Sequence, residues 1–119
     1  MNIDEIREYC LSKKAVTESF PFDEVTLVFK VLDKMFLLSN LDGDLSINIK
    51  CDPENALELR ASYPDTVLPG FHMNKKHWNT IKMNSTVNDD LVKQWIDDSY
   101  SLVVSKMTKK QQGKILNQK

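Results

Sequence analysis

Hydrophobic and polar positions along this chain change period several times, and each change marks an element. Ile3, Ile6 and Cys10 fall at helical spacing behind Asn2, a capping residue, with Asp4 and Glu5 in the first turn. This predicts a helix over about residues 3–12, with Lys13 and Lys14 at its C-terminal end. The stretch Val16–Phe22 reads as a crossing segment in which Pro21 rules out helix. Residues 25–31 then alternate, with Val25, Leu27, Phe29 and Val31 on one face and Thr26, Val28 and Lys30 on the other. Met35-Phe36-Leu37-Leu38 is apolar on both faces and reads as a central strand. Asp42-Gly43 carries a type I′ hairpin signal. The next strand sets Leu45, Ile47 and Ile49 inward and Ser46, Asn48 and Lys50 outward.

The second half opens on Asp52-Pro53-Glu54, an N-cap followed by proline at the first helical position, predicting a helix to about Tyr63 before Pro64. Residues 64–70 read as loop, with Pro69-Gly70 favouring a type II turn. Trp78, Thr80 and Ile81 predict one more strand, and Asn84-Ser85 a turn. Asn88, Asp89 and Asp90 open a last helix whose apolar stripe runs through Trp95, Ile96 and Ser99 to Met107. The predicted order is α-β-β-β-α-β-α, an α+β fold with a twisted antiparallel sheet and helices packed on one face. Residues 1–107 form the expected single domain, and 108–119 a polar, basic C-terminal tail that frays.

At 119 residues, 41% hydrophobic and 28% charged, the chain has the size and composition of one globular domain. No apolar run approaches the roughly 20 residues that cross a bilayer, and the acidic start is unlike a signal or transit peptide. A cytoplasmic protein without a membrane partner is expected. Cys10 and Cys51 belong to no metal-binding spacing and read as buried thiols. The formal charge of −1 conceals an asymmetry. Residues 1–71 carry 7 basic and 13 acidic side chains, whereas residues 72–119 carry 9 and 4.

That asymmetry directs attention to residues 72–82, where Lys75, Lys76 and Lys82 accompany His72, His77, Asn74, Trp78 and Asn79. Ammonium groups suit phosphates, amides suit phosphate oxygens or base edges, and an indole face can stack a base. On a strand, Lys76 and Trp78 would share one face, and Lys75, His77 and Asn79 the other. The plainer alternative makes Trp78 a core residue and the lysines merely solvated. The tail adds Lys106, Lys109, Lys110 and Lys114 with no acid after Asp98, which equally suits a solubilising terminus. The expected nucleic-acid-binding residues are therefore Lys75, Lys76, His77, Trp78, Asn79, Lys82, Lys106, Lys109 and Lys110. If the two regions meet, they engage ~4–6 phosphates and log affinity falls with a slope of about −4 to −5 against log salt.

Catalysis finds little in these residues. Ser99 lies on an apolar helical stripe, where a hydroxyl usually bonds back to the preceding turn. Three glycines, at 43, 70 and 113, cannot build a phosphate loop. His72 and His77 do not converge on an extended segment, and Asp42-Gly43-Asp44 lacks the other ligands of a calcium loop. No enzyme activity, cofactor or metal is expected.

Three stretches stand together: Phe20-Pro21-Phe22-Asp23 followed by Val28-Phe29-Lys30-Val31 and Lys34-Met35-Phe36, then Pro69-Gly70-Phe71-His72-Met73-Asn74-Lys75-Lys76-His77-Trp78-Asn79, and finally Ser99-Tyr100. Their order and spacing resemble the MmcQ/YjbR family of small bacterial proteins over nearly the whole chain. The resemblance implies a fold similar to frataxin-like CyaY proteins and to the double-wing domain of a phage transcription factor, and by that analogy DNA binding, weak and salt-dependent. Two alternatives remain beside it. One is a protein-interaction or small-ligand adaptor, and under any of these readings a monomer or weak dimer is expected. The other is a frataxin-like metal-handling domain, for which Asp4, Glu5 and Glu8 resemble the acidic ridge of that fold.

Overall fold

The computed structural model describes residues 1–83 and 87–117. The turn expected at Asn84-Ser85 lies outside the described residues. Ten elements follow in the order α1 (Ile3–Leu11), β1 (Val16–Ser19), β2 (Thr26–Val31), β3 (Lys34–Asn40), β4 (Ser46–Lys50), α2 (Pro53–Ser62), β5 (Val67–Pro69), β6 (Trp78–Lys82), α3 (Asp89–Ser105) and α4 (Lys109–Leu116). The strands form one antiparallel sheet in the order β1-β2-β3-β4-β6-β5. The α+β architecture with helices on one sheet face is as expected.

Local chemistry sets the helix starts. Asn2 and Glu5 form a reciprocal capping box on α1, Asp52 caps α2 with Pro53 behind it, and Asn88 caps α3. The helices bury Ile6, Ala56, Trp95 and Ile96 against Leu27, Phe29, Leu37, Ile47, Ile49 and Ile81 of the sheet, which makes one continuous core.

Several expectations are corrected. The crossing segment contains β1, paired with β2 from Val16↔Val31 to Ser19↔Val28, and the 64–70 loop contains β5. Both are short edge strands whose residues lack strong alternation, so only sheet neighbours define them. Val25 lies outside β2 and is 40% exposed. The type I′ geometry is not at Asp42-Gly43, where only Gly43 has a positive φ. It occurs instead at Leu32 (φ 44°) and Asp33 (φ 67°), the two residues joining β2 to β3 across the pair Val31↔Lys34. Gly70 does not take the left-handed φ of a type II turn, and His72 (φ 59°) takes one instead. The tail does not fray over its described length: Thr108 and Gln111 form a capping box that starts α4, and Ile115 is buried.

A bulge in β3 shapes the joint between sheet and helices. Phe29 pairs with Leu37 but Lys30 with Met35, so Phe36 is an extra residue and both Phe36 and Leu37 turn toward the helices. Ser99 resolves the backbone around it. Its hydroxyl donates to the Phe36 carbonyl (2.5 Å) and accepts from the Lys50 amide (2.9 Å), rather than bonding back along its own helix. Beside it, Tyr100 packs edge-on against Phe36 at 5.4 Å and donates to the Lys14 carbonyl at 2.7 Å. The Ser99-Tyr100 pair thus fastens α3 to the sheet.

Candidate functional site

The helices pack on one side, so among the described residues the opposite face of the sheet has no helical cover apart from the corner by Lys50 and Trp78, which the α3–α4 junction approaches. Strand pairing aligns its outward residues in three rows. One runs Thr26, Asn40, Ser46, Lys82; the next Ser19, Val28, Leu38, Asn48, Thr80, Leu68; the third Thr17, Lys30, Met35, and on β4 and β6 Lys50 and Trp78. Val28, Leu38 and Trp78 form a small apolar floor, with Met35 and Met73 against it, separate from the main core. Three lysines stand at these outward strand positions, and no carboxylate does.

Two loops raise the rims of this face. In the first, the Asp23 carboxylate accepts from the amides of Val25 (2.9 Å) and Thr26 (2.7 Å), which opens β2 and holds the Asp23 carboxyl below the usual range. That turn leaves Phe22 64% exposed. In the second, Gly70 lies so close to Trp78 that a Cβ would meet both its Cβ and its carbonyl at 2.8 Å, which explains the glycine. Phe71 follows, 68% exposed, its amide donating to Thr80 Oγ1 at 2.9 Å. Between the rims lies a hollow of about 1200 Å³, lined by Phe22, Phe71, His72, Leu38, Asn48, Thr80 and Lys82 among others. Asp23 and Asp44 enter it from loops at the Lys82 end.

The sequence candidates divide on this geometry. Lys82 lines the hollow. Trp78 belongs to the floor at 7% exposure, with the Lys50 ammonium 5.9 Å from its ring centroid. Asn79 is corrected: it faces the helices, fully buried, accepting from Arg60 Nε (2.7 Å) and donating to the Ala56 carbonyl (3.2 Å). It secures the loop and cannot reach a ligand. Residues 71–77 are not strand, so the facing expected for Lys75, Lys76 and His77 does not apply. Arg60 donates to the Lys75 carbonyl, and Lys75 Nζ to the Gly70 carbonyl (3.2 Å). Lys75, Lys76, Lys109 and Lys110 line neither this hollow nor a smaller one at the corner where the sheet meets the α3–α4 junction, whereas Lys106 joins Lys34, Lys50 and Trp78 in the smaller one.

Lys30, Lys50, Phe22 and Phe71 are the residues that sequence reading missed. The alternation of β2 and β4 did point the two lysines outward, but the charge count drew attention to residues 72–82 and the C-terminal segment instead.

Among the described residues no group of three His, Cys, Asp or Glu side chains is disposed to hold a metal. Glu5, on the acidic ridge, is engaged in the α1 capping box. Both cysteines are free and buried, and burial pushes Cys10 to about 12 and Cys51 to about 11, so neither is a ready nucleophile. No described helix is long and apolar enough to cross a membrane.

Comparison with known proteins agrees on one kinship. A family model described as YjbR matches residues 11–102. The uncharacterized protein YbdF of Escherichia coli O157:H7 is 38% identical over 97 residues, covering 81% of this chain and 79% of that protein. The uncharacterized protein YjbR of Escherichia coli K12 is 30% identical over 106 residues, 88% of this chain and 89% of that one. A crystal structure of a Deinococcus radiodurans protein with a DUF419 domain superposes with a TM-score of 0.90 at 39% identity, over 96% of this chain and 87% of that chain. A Pseudomonas syringae protein superposes with a TM-score of 0.73 at 25% identity, over 86% of this chain and 98% of that chain.

Proposed function

The chain belongs to the YjbR family, and from that premise we propose that it is a non-catalytic module binding single-stranded nucleic acid across the open face of its sheet. The observation that carries this reading is the set of outward strand positions, with Lys30, Lys50 and Lys82 and no acid among them. A polyanion meets attraction there and no strand carboxylate to repel it. The apolar floor and the exposed rings of Phe22 and Phe71 favour a single strand over a duplex. Unstacked bases can lie on phenyl rings, whereas a duplex presents mainly phosphates and leaves such rings unused. Ser46 and the amide nitrogen of Asn48 can meet bases or sugars without fixing a sequence, while Thr80 is engaged by Asn48 and the Phe71 amide. The loop lysines Lys75 and Lys76 act only through the general field.

The exposed phenyl rings would also suit a protein partner. The outward lysines favour the polyanion, because an apolar protein patch gains nothing from three ammonium groups without a carboxylate partner among the described residues.

Fluorescence anisotropy with a labelled oligothymidylate at two salt concentrations tests the reading. With about four phosphates engaged, log affinity should fall against log salt with a slope of about −3. Lys30→Gln/Lys50→Gln/Lys82→Gln should remove most of that slope, while Lys75→Gln/Lys76→Gln leaves it nearly unchanged. Equal binding by the triple variant, or tighter binding of duplex than of single strand, rejects it.

A further inference from the structure

We infer that the smaller hollow, at the corner where the β2–β3 hairpin and the end of β4 meet the junction of α3 and α4, is a site for a phosphomonoester. Three lysines from three separate elements line it: Lys34 on β3, Lys50 on β4 and Lys106 at the C-cap of α3. Asp33 is the one acid among its lining residues. None of the three ammonium groups has a carboxylate within ion-pair distance among the described residues. Three ammonium-bearing side chains around one recess, with no carboxylate at ion-pair distance, make a locally positive field that attracts an anion.

The supports are stiff. Lys34 follows the two left-handed residues of the hairpin turn, the Lys50 amide is held by Ser99, and its ammonium is held near the Trp78 ring. Three cations against one acid leave an excess of about two positive charges, which matches a phosphomonoester dianion near neutral pH. At about 520 Å³ the recess has the size of a small-ligand site rather than of a protein groove. Since Lys50 already stands over Trp78, the phosphate and not a stacked base is the recognised group.

The site rests on the open-face reading in one respect. Lys50 and Trp78 end the third row of that face, so this hollow would seat the terminal phosphate of a strand lying on it.

Oligothymidylates phosphorylated at the 5′ end, at the 3′ end, or at neither distinguish the two proposals, with inorganic phosphate as a further probe followed by the Trp78 indole NMR signal. One phosphorylated strand should bind about tenfold tighter than the unphosphorylated one, the worth of one charge-assisted hydrogen bond. Lys34→Gln/Lys106→Gln should abolish that advantage and spare most of the unphosphorylated binding. No advantage of either phosphate, or an advantage kept by the variant, overturns the site while leaving the open-face reading intact. Phosphate shifting the indole signal of the unaltered protein but not of the variant, with no oligonucleotide bound, keeps the site and rejects the open-face reading.

Discussion

The two faces of the sheet differ in how they treat charge. Toward the helices, Leu27, Phe29, Ile47, Ile49 and Ile81 pack apolar surface, and the polar groups that tie elements together have partners: Ser99 serves two backbone groups, Asn79 binds Arg60, and Glu18 meets Arg7. The Ser39 hydroxyl is the exception on this side, buried without a hydrogen-bond partner among the described residues. Toward the open side, the small apolar floor is flanked by lysines that form no ion pair with a carboxylate among the described residues. The first face satisfies nearly all its polar groups internally, as a folding core must. The second leaves positive charge and aromatic surface for something outside the chain, which is how a binding face differs from a packing face.

Substitutions can break this contrast in graded steps. Phe29→Ala, in the middle of the covered face, should cost ~3–5 kcal/mol of stability, measured as a fall in the urea midpoint. An unchanged midpoint would mean the covered face is not the main source of stability. Ser99→Ala should cost ~1–3 kcal/mol, because the Phe36 carbonyl and Lys50 amide both lose their buried partner. Hydrogen exchange should show the Lys50 amide opening first. Phe22→Ser/Phe71→Ser should leave stability within ~0.5 kcal/mol, as for other exposed positions. The same pair should weaken oligonucleotide binding by roughly tenfold or more, since each stacked base is worth ~1–3 kcal/mol. Loss of folding there would mark the rings as structural.

The smallest effect tests the charge on the covered side. The Arg7 guanidinium, hydrogen-bonded to Glu18, holds the Glu18 carboxyl below its ordinary 4.5. A depressed carboxyl stabilises the fold above the unfolded value and loses that contribution as pH falls through the folded one. Stability of the unaltered protein and of Glu18→Gln should therefore differ at pH 6, and the difference should shrink as pH falls below the ordinary 4.5. A difference that does not shrink on acidification would show that the pair's charge is not its contribution. The pair is only half-buried and partly screened by solvent, so the gap at pH 6 should be smaller than the stability losses of Phe29→Ala and Ser99→Ala.

Much of the fold was legible because its signals are local. Asn2, Asp52-Pro53 and Asn88 announce helix starts through their own side chains, and the alternation of β2 and β4 declares which residues turn inward. What escaped depends on distant partners. Val16–Ser19 and Val67–Pro69 become strands only because β2 and β6 offer them backbone groups, and the β3 bulge is tolerated because Ser99 arrives from another element. The candidate site divided in the same way. Lys82 and Lys106 were found from charge alone, whereas Asn79, read as a ligand reader, has both ends of its amide occupied by α2.

The family came from a resemblance spread over three stretches of the chain, whereas residue type and short-range spacing were enough to give the helix caps and the inward or outward sense of each central strand, because these depend on neighbours within a few positions. They could not reveal that Lys34, Lys50 and Lys106 line one recess; folding settled that. Which side chains meet in a recess depends on where residues far apart in the chain come to rest, and no local periodicity carries that information.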